Sequence, residues 1–142
     1  MVAKIMDAGR TVRSALDYNE RKVAAGTAAV IGVRNIPGTD MLSIRSVFER
    51  LERRNIRSRD VSFQMAMNPN EKNPSERYTD GEAMRMAEEV MGRLGYGGQP
   101  FVVFRHNDIS REHFHVISIR VNEQGRKIRD RQEQNRLQQI MK

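Results

Sequence analysis

His106-Asn107-Asp108-Ile109-Ser110-Arg111-Glu112-His113-Phe114-His115 contains every histidine of this 142-residue chain. Residues 114–121 form an apolar, β-branched run. On a strand the side-chain period of two sends His113 and His115 to one face and Phe114 and Val116 to the other. Phe101-Val102-Val103-Phe104 reads as a second strand, and the polar residues 107–112 suit a hairpin loop that returns His106 to the pair. Three convergent imidazoles with open positions would hold a divalent ion and leave room for a substrate oxygen. A lone histidine is commonly a satisfied polar residue. Three clustered at hairpin spacing read better as a ligand set.

Upstream of this window, Val61, Phe63, Met65 and Met67 alternate strictly, which predicts a half-buried strand over residues 61–67. Residues 28–35, with Val30, Ile31 and Val33, and the short segment 1–6 read as two more strands. Between them Thr11 caps a helix that runs to about Ala24 or Ala25 and is stopped by Gly26. After the Pro37-Gly38 turn, Thr39 or Asp40 caps a helix over residues 41–55 with Leu42, Val47, Phe48 and Leu51 on its apolar face. Residues 68–77 read as loop. A third helix starts at Thr79 or Asp80, buries Met84, Ala87, Val90, Met91 and Leu94, and closes at Gly95, its methionines serving as core filler. Residues 127–142 predict a charged, Gln-rich final helix with few apolar positions and no cap, and the chain is therefore expected to be the N-terminal part of a longer protein. The order predicts a single α+β domain over residues 1–142: a five-stranded, mainly antiparallel sheet with helices packed over a face.

With 25 Lys plus Arg against 18 Asp plus Glu, a net charge of +7 and a pI near 10.4, the chain calls for a polyanionic partner, nucleic acid first among them. Arginine outnumbers lysine heavily, and its guanidinium pairs with phosphate in a bidentate geometry. The plainer reading makes Arg50, Arg53, Arg54, Arg57 and Arg59 the solvated face of one helix and its exit loop. Without cysteine there are no disulfides or thiolate metal sites, and a reducing cytoplasm fits. The weakly polar stretch 23–33 is too short to span a bilayer, and the charged start does not resemble a signal peptide.

A metal held by three histidines on the sheet of a basic protein suggests phosphoryl chemistry, with the ion as Lewis acid on a phosphate oxygen. The nucleophile would be water, a serine, or one of Tyr18, Tyr78 and Tyr96. Tyr78 lies before a helix cap and Tyr96 in a Gly-rich turn where a ring commonly plugs the core. Tyr18 sits on the first helix beside Arg21 and Lys22. An interfacial aromatic explains Tyr18 as well, and spacing does not choose among the three.

The stretches Gly95-Tyr96-Gly97-Gly98-Gln99-Pro100, His106 to Val116 and Arg120-Val121-Asn122-Glu123-Gln124-Gly125-Arg126-Lys127-Ile128 resemble the three-histidine motif of Mob-type relaxases, the mobilisation nucleases of the HUH endonuclease superfamily. Tyr18-Asn19-Glu20-Arg21-Lys22-Val23 resembles their tyrosine motif, and the likeness covers nearly the whole chain in the expected order. Rolling-circle replication initiators share the His-hydrophobic-His core, but the third histidine favours a relaxase. The resemblance implies a relaxase-like fold and a site- and strand-specific DNA nickase for conjugative mobilisation. Tyr18 would attack the scissile phosphate of single-stranded DNA at an origin of transfer, leaving a 5′-phosphotyrosine and a free 3′-hydroxyl, and the site would later rejoin the strand. Because the metal neutralises phosphate charge, the phenol need not ionise beforehand, and because the phosphotyrosine keeps the diester energy, religation needs no nucleotide. Accessory mobilisation proteins are implied partners. For the family's second motif, an acidic or serine residue supporting the histidines, Asp80 and Glu82 are the candidates.

Three imidazoles favour Mn²⁺, Zn²⁺ or Ni²⁺ over Mg²⁺, with Mn²⁺ expected to serve best. Asp108 is a candidate to orient a histidine through its other ring nitrogen, although an Asn-Asp pair is equally turn chemistry. Lys22 and Arg111 are candidates to hold DNA phosphates; a solvated hairpin arginine explains Arg111 as well. Two other classes compete. A non-catalytic single-stranded nucleic-acid-binding module is weakened by the scarcity of stacking aromatics, with five Phe, three Tyr and no Trp. A metal-dependent hydrolase using activated water would leave no covalent adduct.

Overall fold

In a computed structural model describing residues 1–6, 11–69, 77–107 and 112–142, the elements run β1 (Val2–Ile5), α1 (Val12–Ala24), β2 (Ala28–Arg34), α2 (Met41–Glu52), β3 (Ser62–Asn68), α3 (Asp80–Leu94), β4 (Phe101–His106), β5 (His113–Ile119) and α4 (Glu133–Ile140). The five strands make one sheet in the order β1-β3-β5-β4-β2, and every neighbouring pair is antiparallel. The histidine-bearing strands β4 and β5 therefore lie inside the sheet, where backbone pairing on both sides fixes the side-chain directions.

Local chemistry sets the helix ends. Thr11 Oγ1 accepts from the Ser14 amide at 3.0 Å and Asp40 Oδ2 from the Ser43 amide at 3.0 Å. Thr79 and Glu82 complete a capping box, and Gly95 closes α3 with a left-handed φ of 101°.

The two sheet faces carry separate cores. Phe63, Met65, Phe101, Val103, Phe114 and Val116 pack with Ala87 and Met91 of α3 and Leu137 of α4. Val102, Phe104, Ile117 and Ile119 pack with Leu16 of α1 and with Ile44, Phe48 and Leu51 of α2. Helices thus cover both faces where the sequence predicts one covered face. The reason is that residues 101–104 are apolar at every position, as in strands buried on both sides. At β2 the register shifts between Val30 and Gly32, a bulge at Ile31. A Cβ on Gly32 would come within 2.7 Å of Met84 Sδ, so glycine lets α3 pack close.

The final helix is shorter than the predicted span over residues 127–142. Lys127 instead bridges back to Val121, and Asn122 Oδ1 accepts from the Gln124 and Arg126 amides at 3.0 Å each, tying a turn that helical reading overlooks. The glutamines of α4 have a use: Gln134 Oε1 accepts from the Ile5 amide at 2.8 Å, and Gln138 Nε2 donates to the Ala3 carbonyl at 3.4 Å. No helix among the described residues is long and apolar enough to cross a membrane.

A buried polar triad locks α4 to the sheet. Tyr96 Oη donates to Glu133 Oε2, Arg120 Nη2 donates to Glu133 Oε1 at 2.6 Å, and Arg120 Nε donates to Tyr96 Oη at 3.1 Å. Burial, and then the carboxylate partner, push the Tyr96 phenol up from its ordinary pKa. Glu133→Ala would remove the closest counter-ion of the buried Arg120 guanidinium and leave it only Asp130 at 4.0 Å, a loss of about 3 kcal/mol. Thermal melting should fall by roughly 10 °C; an unchanged melt would show that the triad contributes nothing to stability.

Candidate metal centre and nucleophile

The antiparallel register pairs His106 with His113 and Phe104 with His115, which puts the three imidazoles on one face near one end of the sheet. Their ring centroids lie 4.2 Å (His106–His115), 5.1 Å (His106–His113) and 5.1 Å (His113–His115) apart. One nitrogen from each lies within 4.8 Å of the others. Metal–imidazole bonds run about 2.0–2.1 Å, so small ring rotations suffice to close such a set on one ion. The donors fit a divalent ion of borderline softness.

Helix α1 forms the wall over this cluster. Asn19 is 2 % exposed and His106 1 %. Asn19 Nδ2 donates to the Ala15 carbonyl at 2.8 Å, which leaves Oδ1 facing His106 Nε2 at 2.6 Å. Because Oδ1 can only accept, the contact calls for a proton on Nε2 and leaves Nδ1 as the ring nitrogen that a metal ion could use. Half-buried Tyr18, the preceding residue, stacks its ring on His106 at 6.3 Å between centroids and 14° between planes. Lys22, one turn further along α1, sits with Nζ 5.6 Å from the Tyr18 ring centre. Arg45 of α2 holds Asp17 at 2.7 Å and Glu20 at 3.1 Å, bracing this stretch of α1 from both sides of Tyr18 and Asn19.

Of the three tyrosines, Tyr18 is the one at the histidines. Tyr96 is fully buried in the core on the α3 side, and Tyr78 packs against that same core. Asp80 pairs with Arg105, whose side chain points to the α3 side, and Glu82 is spent on the capping box, so neither candidate for the supporting acid meets the histidines. Asp108 and Arg111 lie outside the described residues. Asn19 is the contact the sequence reading overlooked; the only hint was its place next to Tyr18.

A family model described as "Relaxase: MobA/VirD2-like, nuclease domain" matches residues 18–142, a span that opens on Tyr18 and takes in all three histidines. A search of the curated proteins finds no match to the chain. The matched span is most of the chain, and a histidine cluster facing a tyrosine is compatible with the HUH motif; the chain belongs to the family of MobA/VirD2-like relaxase nuclease domains.

Proposed function

We propose that this domain nicks and rejoins one strand of DNA at an origin of transfer, with Tyr18 as nucleophile and His106, His113 and His115 as the ligands of a divalent ion, Mn²⁺ being the best fit. The observation that carries this reading is the stacking of Tyr18 on His106 at 6.3 Å, which places a phenol beside three convergent imidazoles. A bound ion would supply Lewis-acid charge at a non-bridging phosphate oxygen. Tyr18 Oη forms the new P–O bond and loses its proton. The bond from phosphorus to the 3′-oxygen breaks, and that oxygen leaves as a hydroxyl. The product is a 5′-phosphotyrosine, which the same 3′-hydroxyl can attack to restore the strand. Lys22 places positive charge over the Tyr18 ring, where it favours negative charge developing on the phenol oxygen and can pair with a neighbouring phosphate. Single-stranded DNA is the substrate this family implies, and accessory mobilisation proteins in the cytoplasm are the expected company. Incubation with Mn²⁺ and a single-stranded oligonucleotide spanning the cognate origin should yield a covalent protein–DNA band on a denaturing gel. Cleavage without that band would assign the attack to water and overturn the reading.

In this mechanism Asn19 is a positioning residue that holds His106 in one tautomer. Asn19→Leu removes the acceptor and should weaken Mn²⁺ binding about 10- to 100-fold, the range for outer partners of metal ligands. Asn19→Asp retains an acceptor and should stay within several-fold of the parent. Calorimetric titration of both variants decides, and equal binding by the Leu variant would remove Asn19 from the mechanism.

A further inference from the structure

Tyr18 and Asn19, the two residues of α1 that meet His106, sit where the packing of that helix gives out. Val12, Ala15, Leu16 and Asn19 are buried, and from Glu20 to Ala24 no residue of α1 is. Past Leu16 the helix also parts from α2 around an open cavity of about 240 Å³, lined by Asp17, Glu20, Arg21, Ala24 and Arg45. Apolar contact is non-directional, so an anchor of this kind at one end of a helix leaves the other end room to rock or turn. Arg45 crosses that gap. It lines the cleft between the two helices beside Leu16 and Phe48, and its side chain is 22 % exposed. Its Nη2 donates to Asp17 Oδ1 at 2.7 Å and to Glu20 Oε2 at 3.1 Å. Asp17 and Glu20 stand three apart, neighbours on one helix face, and Tyr18 and Asn19 are the two residues between them. Attachment at two points resists rotation of a helix about its axis as well as sliding along it, which attachment at one point does not.

We propose that Arg45 is a positioning residue for the nicking reaction, clamping the second half of α1 so that Tyr18 is presented to the histidines in one orientation. The inference rests on the reading of Tyr18 as nucleophile. Arg45 acts through Asp17 and Glu20 and touches neither the histidines nor the reacting atoms. Two magnitudes separate this role from a merely stabilising one. Ion pairs with half-exposed carboxylates, as Asp17 and Glu20 are at 44 % and 48 %, contribute little to the stability of a fold. A displacement of about 1 Å at a reacting group, by contrast, can cost roughly a hundredfold in rate. Loss of the clamp therefore has a recognisable signature, a large fall in the rate of attack with a small change in stability. The histidines stand on β4 and β5, whose pairing does not depend on α1, so the metal site and the clamp are separable.

The test uses the whole chain with Mn²⁺ and a single-stranded oligonucleotide spanning the cognate origin, and follows adduct formation in a single turnover. Arg45→Met keeps a flexible stem and removes the charge. Its maximal rate should fall about 10- to 100-fold, with the half-saturating oligonucleotide concentration within about threefold of the parent and the melting temperature lower by less than about 5 °C. Arg45→Lys, which can still pair with one carboxylate, should recover part of the rate. The triple variant Arg45→Met/Asp17→Asn/Glu20→Gln should be no slower than Arg45→Met, because residues that act as one unit are not additive. Hydrogen exchange without DNA should quicken in Arg45→Met at the amides of residues 18–24 and nowhere else. An unchanged maximal rate, or unchanged exchange, overturns the inference. So does weaker half-saturation at full rate, which would make Arg45 a substrate contact, and so does a triple variant whose losses add. Failure of the nucleophile reading looks different: the parent itself then forms no adduct on Tyr18, whereas failure of the clamp appears only in the variants.

Discussion

Tyr18→Phe should abolish the covalent protein–DNA adduct while leaving fold and metal binding as they are. Phenylalanine keeps the ring that stacks on His106 at 6.3 Å and removes only the oxygen proposed to attack. Loss of a nucleophile that does the chemistry itself is expected to cost a thousandfold or more, on the order of what deletion of other catalytic nucleophiles produces. The readouts are adduct yield on a denaturing gel and a peptide map of the parent adduct, with the added mass expected on the peptide containing Tyr18. Persistence of the adduct in the variant, or a map that places it on Tyr78 or Tyr96, would sink the assignment. The fold already makes those two poor nucleophiles, since Tyr96 is buried in the core on the other side of the sheet and Tyr78 packs against that core.

The second large effect is expected at the histidines. With three side-chain donors, each Ala replacement removes a third of the ligand set, so Mn²⁺ affinity should fall by more than the roughly 10- to 100-fold typical of losing an outer partner. The three variants should differ in stability in a way that reports their surroundings. His106→Ala strands the buried Asn19 Oδ1 and should cost about 1–3 kcal/mol, while His113→Ala and His115→Ala, at half-buried positions, should cost less. Titration calorimetry measures the first quantity and denaturant unfolding the second. If all three variants bind Mn²⁺ as tightly as the parent, the cluster is no metal site.

What the sequence made legible was what depends on short-range pattern. The strict alternation of residues 61–67 gave β3, the turn and cap residues placed α1, α2 and α3 to within a few positions, and the two-residue spacing of His113 and His115 put both on one face. What it hid depends on pairs far apart in the chain. Asn19 and His106 are 87 residues apart, and an asparagine in mid-helix gives no sign of its partner. Lys127 could not be seen leaving the helical pattern, because the cause is the Asn122 turn and the bridge to Val121 rather than anything at Lys127 itself. The second covered face was written in Phe101-Val102-Val103-Phe104, but a continuous apolar run is ambiguous between a helix segment and a doubly buried strand until its neighbours are known.

The glutamines of α4 bear on how this protein avoids its own copies. The outer backbone groups of β1 are a template on which a strand from a second molecule could add, and the side-chain amides of Gln134 and Gln138 occupy two of them with groups of the same hydrogen-bonding kind. At the opposite edge the irregularity at Ile31 breaks the regular register that an incoming strand would need. A helix that looks too polar to be worth folding thus does for one border of the sheet what a bulge does for the other, and edge-to-edge polymerisation of sheets is discouraged without drawing on the charge that the domain keeps for DNA.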